Sequence, residues 1–405
     1  MKKEVLIEKL DHFGRGIAND NKIIFVENAL PEELVEIKIQ KENKKLIEAT
    51  TTNIIRKSDK RINPECPYYN MCGGCNIMHL EYNEQLKFKE QKVKEILKRF
   101  ANINEDKIKP IIESSNLYYR NKITLKVKER LGLYQKKSYD LINIEKCIIV
   151  SKKINELINI LNKLSLNNIE EIIIKDAYDE KTIINIKGKN IDKEYLKENL
   201  KDYTENLVIY DNNKKEILLG EGYIIDKIGD YYFKVSDDAF FQVNKYTTEK
   251  LYNKVKEYAN LRKEERLLDL YCGTGTIGIS LSKDAKEVIG IEINEYAVEN
   301  ANENKKINNV ENISFICSDV GKIKEKYKNI DVVVIDPPRS GLSKEALQNV
   351  LDINPKRIVY VSCDPVTLAR DLKVLKDYYE IKEITPTDMF PNTYHVENVC
   401  LLINK

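Results

Sequence analysis

The chain has 405 residues, 42% of them hydrophobic and 33% charged, with a formal net charge of +2. That length exceeds one ordinary core and predicts two or three domains, and that hydrophobicity excludes a disordered chain. No stretch approaches the roughly 18 uncharged residues of a membrane span, and the opening MKKEVLIEKLDHFGRG carries acids inside any apolar segment. A soluble, cytoplasmic protein with no membrane contact is therefore expected.

Residues 1–56 alternate short β-branched and charged runs around Gly14-Arg15-Gly16 and Asn19-Asp20-Asn21. This is the pattern of a small antiparallel β-barrel, a shape that often binds oligonucleotides. A polar, basic linker from Arg56 to Arg61 leads into "CPYYNMCGGC". Its Cys66, Cys72 and Cys75 form a C-x5-C-x2-C run, and Cys147 in "IEKCIIV" is the fourth candidate. Eight cysteines in a cytoplasmic protein argue for metal or catalysis over disulfides. Four thiolates suit zinc or an iron–sulfur cluster. The Cys72-Gly73-Gly74-Cys75 turn, with Pro67 behind Cys66, lets peptide N–H groups point at sulfides, which favours iron–sulfur. The plain alternative is scattered core cysteines. Radical chemistry at such a cluster uses a C-x3-C-x2-C spacing, which is not the spacing here.

Residues 81–100 keep helical spacing through Phe88, Val93, Ile96, Leu97 and Phe100. Residues 1–150 carry a net charge of +7 and the remainder −5. Within the basic part, Arg120, Lys122, Lys126, Lys128, Arg130, Lys136 and Lys137 face one acid, Glu129, with Tyr118, Tyr119 and Tyr134 interleaved. Cations meet phosphates and rings stack on unpaired bases, although a solvated strand pair has the same composition. Between about 118 and 235 the pattern is mostly strands, with one helix near 151–164.

From about residue 238 strands alternate with helices, the signature of a doubly wound parallel sheet. Strands are expected at 266–271, 287–293, 314–319, 331–336, 357–363, 380–389 and 395–403, the last two pairing antiparallel because no helix fits between them. "LLDLYCGTGTIG" sets Gly273, Gly275 and Gly278 after the first of these strands, and Glu292 follows nineteen residues past Gly273. Such an array suits a nicotinamide dinucleotide or S-adenosylmethionine, and a structural turn is also possible. Three carboxylates tip it toward the methyl donor. Asp269 precedes the loop, Asp319 ends the next strand but one, and Asp336 opens the rigid Asp336-Pro337-Pro338 turn. The apolar run of "RIVYVSCDP" delivers Cys363 to the same carboxyl edge, where a thiol is either core filling or a nucleophile. Cys272, Cys317 and Cys400 read as packed thiols, and His395 as structural.

As a set, the residues resemble one family, the RNA uracil-5-methyltransferases, in the iron–sulfur-containing branch acting on large-subunit ribosomal RNA. The resemblance spans nearly the whole chain and rests on the barrel, similar to a TRAM domain, and on C-x5-C-x2-C with Cys147. It also rests on "YRNK", "FFQVN", "LDLYCGTGTIG", "DPPRSG", "VYVSCDP" and "HVENVCLL". It implies an α/β fold: a Rossmann-like S-adenosylmethionine-dependent methyltransferase domain, an N-terminal TRAM-like β-barrel and a β-rich central iron–sulfur domain. The domains implied are 1–56 for the barrel, 57–80 with 111–237 for the central domain, and 81–110 with 238–405 for the methyltransferase. Cys363 is implied as nucleophile and Glu397 as base. Gln242, Tyr271, Gly273, Thr276, Glu292, Asp319 and Asp336 would hold S-adenosylmethionine, and Cys66, Cys72, Cys75 and Cys147 a [4Fe-4S] cluster. The partner is RNA, ribosomal RNA first and transfer RNA as the alternative, bound by a monomer. The chemistry is consistent with this. Uracil C5 takes a methyl group only after a thiolate adds to C6, and a base must then remove the C5 proton so that the thiol can leave. A nicotinamide-dependent iron–sulfur oxidoreductase, or an RNA-binding protein with an inactive nucleotide fold, are the competing classes.

Overall fold

The computed structural model describes residues 3–323 and 327–405. Strands β1 (Lys3–Leu6), β2 (Lys9–Leu10), β3 (Gly16–Asp20), β4 (Lys22–Glu27), β5 (Leu34–Glu42) and β6 (Leu46–Arg56) form one six-stranded sheet in the order β1-β5-β6-β4-β3-β2, not wholly antiparallel as the sequence pattern predicts, because β6 returns to pair in parallel with β4. Alternate residues such as Ile24 and Val26, or Val35 and Ile37, enclose its small core, as the two-residue strand period requires.

Helix α1 (Tyr82–Ala101) then leaves the amino-terminal part of the molecule. Its stripe of Val93, Ile96, Leu97 and Ala101 packs in the same core as the C-terminal sheet. Asn102, at φ 50°, ends the helix in the left-handed conformation and returns its N–H to the last carbonyls.

The central region comprises β7 (Lys122–Val127), β8 (Leu131–Tyr134), β9 (Leu141–Asn143), α2 (Lys152–Leu161), β10 (Ile169–Asp176) and β11 (Thr182–Gly188), followed by α3 (Lys193–Leu200), β12 (Asn206–Asp211) and β13 (Lys214–Leu219). Its seven strands run in the order β13-β12-β11-β10-β7-β8-β9. Helix α3 is a second helix where the sequence pattern predicts one; it buries only Leu196 and Leu200, too few apolar positions to raise a periodic signal. The hairpin β14 (Tyr223–Ile228) and β15 (Tyr231–Ser236) reaches into the C-terminal core through Ile228 and Phe233.

The C-terminal part holds α4 (Thr248–Ala259), β16 (Arg266–Leu270), α5 (Thr276–Leu281), β17 (Glu287–Glu292), α6 (Glu295–Ile307) and β18 (Ile313–Cys317). It continues with β19 (Val332–Ile335), α7 (Lys344–Ile353), β20 (Arg357–Ser362), α8 (Pro365–Leu375), β21 (Tyr379–Thr387) and β22 (Glu397–Asn404). The sheet order is β18-β17-β16-β19-β20-β22-β21, parallel except for β22, which runs antiparallel between β20 and β21. From β16 the chain winds out to one edge through β17 and β18 and then to the other through β19 and β20. The carboxyl end of β16 is therefore the switch point, where such sheets open a crevice for ligands. Among the described residues no helix is long and apolar enough to cross a membrane.

Two sequence motifs hold these parts together. "YRNK" and "FFQVN" pair along their backbones: Asn121 N donates to Val243 O at 2.9 Å and Lys245 N to Tyr119 O at 3.3 Å. The fully buried Tyr119 also donates its hydroxyl to Pro391 O at 3.1 Å, tying the junction to the segment before β22. The basic stretch after it divides. Lys126 is paired with Glu171, which also takes Lys187, so this part of the strand pair is neutralised within the sheet.

Candidate active site at the carboxyl edge of the C-terminal sheet

Strand pairing explains how Cys363 and Glu397 meet. In the antiparallel ladder Ser362 lies opposite Asn398, so the next residue on β20 and the preceding one on β22 face each other at the strand ends. Asp364 then caps α8, its Oδ1 accepting from Val366 N at 2.8 Å and Thr367 N at 3.0 Å, with Pro365 in the first turn. Cys363 is thus held just before a helix N-terminus, a position that favours a thiolate. Burial opposes this and pushes the thiol up to about 12, with Glu397 and Asp336 adding to the rise and Arg339 lowering it. Burial likewise pushes the Glu397 carboxyl up to about 8, with Asp336 raising it and Arg339 lowering it. Asp336, which follows β19, rises to about 7 through burial. Arg339 is therefore the cation common to the thiol and the base, and the sequence reading passed over it. The signal available was its place directly after the Asp336-Pro337-Pro338 turn.

The glycine loop sits at the switch point. Tyr271 adopts φ 62°, a left-handed conformation costly for a bulky residue, and so turns the chain sharply off β16. The turn brings Gly273 N within 3.1 Å of Glu292 Oε2, while Glu292 Oε1 accepts from Asn294 N at 2.9 Å. Gly275 requires its own identity: φ is 80°, and a Cβ there would lie 2.5 Å from Phe315 Cζ. Gly278 N donates to Asp269 Oδ2 at 2.9 Å, whereas Asp269 Oδ1 is buried without a partner. Burial raises Asp269 to about 8, the Gly278 N–H lowers it, and Asp336 and Glu292 raise it further. Thr276 begins α5 and shares a 2.7 Å hydrogen bond with the Tyr252 hydroxyl. Asp319 accepts from Gly321 N at 2.8 Å and, with Asp371 and Glu292, helps burial raise the Tyr271 hydroxyl to about 12.

Asp269, Glu292, Asp319 and Asp336 lie around the turn, and the amides of Gly273 and of Gly278 in α5 are already given to two of these carboxyl groups. A pyrophosphate would have to compete for those amides, whereas a ligand with sulfonium and ammonium groups would find acceptors there. Gln242 lines a cavity of about 420 Å³ with Asn121, Tyr178, Asp226 and Lys245, and its main-chain carbonyl accepts from Asn121 Nδ2 at 3.3 Å.

The four predicted ligand cysteines are brought together in the central region. Cys75 is pushed far up by burial and then by Cys147, Cys72 and Cys66, so all three lie within its electrostatic reach. Cys147 rises to about 11, with burial the largest cause. Gly74 N points at the Cys72 thiol, Sγ 3.4 Å away, while Gly73 N donates to Tyr134 O at 3.1 Å. Among the described residues no three such side chains converge on one point as ligands of a single ion. Of the thiols expected to be packed, Cys272 and Cys400 are buried but Cys317 is exposed, because β18 is the edge strand. His395 stacks on Tyr394 at 4.3 Å between centroids, and burial lowers it to about 4.

Comparison with known proteins agrees with this chemistry. Residues 81–405 match the family model tRNA (Uracil-5-)-methyltransferase, and residues 2–51 match the TRAM domain. An RNA methyltransferase of Clostridium acetobutylicum is 38% identical, covering 98% of this chain and 96% of its own. One from Staphylococcus aureus is 35% identical over 97% of this chain and 96% of its own. The crystal structure of Pyrococcus abyssi tRNA (uracil-54, C5)-methyltransferase with S-adenosyl-L-homocysteine superimposes with a TM-score of 0.81 at 28% identity, covering 100% of both chains. These matches name a TRAM domain and a methyltransferase, and none names an iron–sulfur domain. The chain belongs to the tRNA (uracil-5-)-methyltransferase family, S-adenosylmethionine-dependent RNA methyltransferases, and carries a TRAM domain at its amino end.

Proposed function

We propose that the protein methylates C5 of a uridine in large-subunit ribosomal RNA, with Cys363 as nucleophile and Glu397 as base. The observation that supports the two catalytic roles is the register of β20 against β22, which brings a thiol and a buried carboxylate together beside an acid-lined turn. Bound S-adenosylmethionine supplies an electrophilic methyl group. Tyr271, Gly273, Thr276, Glu292, Asp319 and Asp336 would hold the donor, with Gln242 of the "FFQVN" loop as a further contact. Cys363 adds to C6 of the uracil, which makes C5 nucleophilic; after transfer Glu397 removes the C5 proton and the thiolate leaves. A carboxyl raised to about 8 is a stronger base than an exposed one, which suits it to that proton.

A second reading, the same reaction on transfer RNA, is favoured by the Pyrococcus enzyme, whose full-length match shows that a barrel of this kind also accompanies a transfer-RNA target. Labelled methyl donor should be incubated with separated ribosomal and transfer RNA from a strain lacking the gene. The proposal expects 5-methyluridine in the large-subunit fraction; label confined to transfer RNA establishes the second reading, and a labelled base other than 5-methyluridine overturns both.

The same reading assigns Cys66, Cys72, Cys75 and Cys147 to a [4Fe-4S] cluster. The thiols are half-buried neighbours, yet among the described residues no three close on one centre. The cluster would brace the loop against β8 and β9. Protein purified without oxygen should be brown and contain about four irons; colourless protein with stoichiometric zinc overturns the assignment.

A further inference from the structure

We propose that a cavity between the barrel, the cysteine loop and the segment before β22 binds one single-stranded nucleotide of the RNA, a neighbour of the base that is methylated. The proposal rests on the uridine reading and extends it to a second contact. The cavity has a volume of about 400 Å³, within the range of small-ligand sites, and chain segments far apart in sequence converge on it. Phe13, Gly14 and Arg15 come from the turn between β2 and β3, Lys136 and Lys137 from the turn between β8 and β9, and Tyr394 from the approach to Glu397.

The wall chemistry matches a nucleotide. Phe13 and Tyr394 meet edge to face, with centroids 5.4 Å apart, and Phe13 is 56% exposed, an aromatic ring left open to solvent at the cavity. Unpaired bases stack on such rings. Three cations line the cavity, Arg15, Lys136 and Lys137, of which Arg15 pairs with Asp11 and Lys137 with Glu27. Arg15 is held by Asp11 at 2.7 Å and lies over the Phe25 ring at 4.5 Å, which fixes its guanidinium. Lys136 Nζ rests over the Tyr69 ring at 4.6 Å and reaches Asn28 Oδ1 at 3.5 Å. Lys137 pairs with Glu27 at 2.5 Å, and its side chain is 68% exposed. Stacking rings with cations beside them accommodate a base and its phosphate together.

The cavity is preformed. Gly14 packs so closely on the cysteine loop that a Cβ there would lie 2.4 Å from Ile77 Cγ2. Lys136 N donates to Met71 O at 2.9 Å, and Asn76 N to Asn392 O at 2.9 Å. The loop therefore holds both the lysine-bearing turn and the segment leading to Glu397. Tyr394 packs against His395 at 4.3 Å between centroids, and His395 lies within electrostatic reach of Arg339 and Asp364, so the cavity adjoins the proposed reaction centre. A nucleotide held here fixes the strand while the target base leaves its stack, offsetting part of the few kcal/mol that base extrusion costs.

The test uses the full-length protein and a 12-nucleotide oligouridylate containing 4-thiouridine. Ultraviolet irradiation should cross-link peptides containing Phe13 or Tyr394. Phe13→Ala, at an exposed position whose loss disturbs little packing, should raise the Kd for the oligomer about tenfold, as loss of one stacked base predicts. Binding of S-adenosylmethionine should be unaltered. Lys137→Ala should flatten the salt dependence of oligomer binding. Unchanged oligomer affinity in Phe13→Ala, or cross-links confined to other surfaces, overturns the proposal. The two readings fail separately. Cross-linking at Phe13 with no 5-methyluridine formed refutes the uridine reaction and keeps the cavity, whereas 5-methyluridine formed by Phe13→Ala with an unchanged KM for RNA refutes the cavity and keeps the reaction.

Discussion

Glu397→Gln is expected to accumulate a protein–RNA adduct that survives denaturation and carries the transferred methyl group, whereas Cys363→Ala should form neither adduct nor product. The two groups act at opposite ends of one reaction, so their losses differ in kind. Without the Cys363 thiol C5 is never activated. Glutamine keeps nearly the size of Glu397 and can hydrogen-bond, but it cannot accept the C5 proton, so elimination stalls after transfer. A shifted, labelled band on a denaturing gel, absent in the double variant, is the readout. Normal turnover by Glu397→Gln would remove Glu397 from the role of base. The pH profile follows with a definite sign. The base must be ionised, and burial has raised its pKa from the ordinary carboxylate range to about 8, so activity should fall as pH drops through that value. The ionised thiol imposes the same direction, because Cys363 is also pushed up, to about 12. Arg339, which lowers both, should be felt here: Arg339→Met is expected to move the profile to higher pH.

Lys89→Met should lower the urea midpoint of the protein, a loss of about 3–5 kcal/mol for a buried carboxylate left without its partner. Lys89 and Asp388 are both fully buried, their side chains form an ion pair, and Lys89 Nζ also donates to Phe390 O at 2.9 Å. Burial lowers the Lys89 pKa, and Asp388 raises it. Asp388 in turn accepts from the Tyr82 hydroxyl at 3.0 Å. The pair therefore joins α1 to the segment that leads to Glu397, and its loss should impair activity together with stability. Lys89→Met combined with Asp388→Leu removes both charges and should recover part of the loss, since the penalty lies in the uncompensated carboxylate. A wild-type midpoint for Lys89→Met alone would show that the pair contributes nothing.

Much of this protein is legible in its sequence because the signals are local. Alternation of buried residues marks the barrel strands, and apolar runs bounded by turns mark the parallel sheet. The glycine loop and its carboxylates announce a ligand site, and the short connection between the last two strands dictates their antiparallel pairing. The strand patterns depend on residues within one turn or one strand of each other, where backbone geometry and side-chain period act directly, and the other two signals on motif spacing and connection length.

What only the tertiary structure decided are relations between residues far apart in the chain. Glu397 reads from sequence as an ordinary strand carboxylate; the register of β22 on β20 is what sets it opposite Cys363 and buries it. Arg339 gains its part only because the β19 and β20 ends lie side by side. Lys126 and Lys136 look alike in one basic run, but the sheet pairs Lys126 with Glu171 while the cysteine loop turns Lys136 into a cavity shared with the barrel. Helix α1 shows its apolar stripe plainly, yet which core receives it depends on the Lys89–Asp388 pair and the C-terminal sheet. Cys317 is exposed because its strand has a neighbour on one side only. Such pairings are selected by burial and charge compensation across the whole chain after loop closure, and no local propensity encodes them.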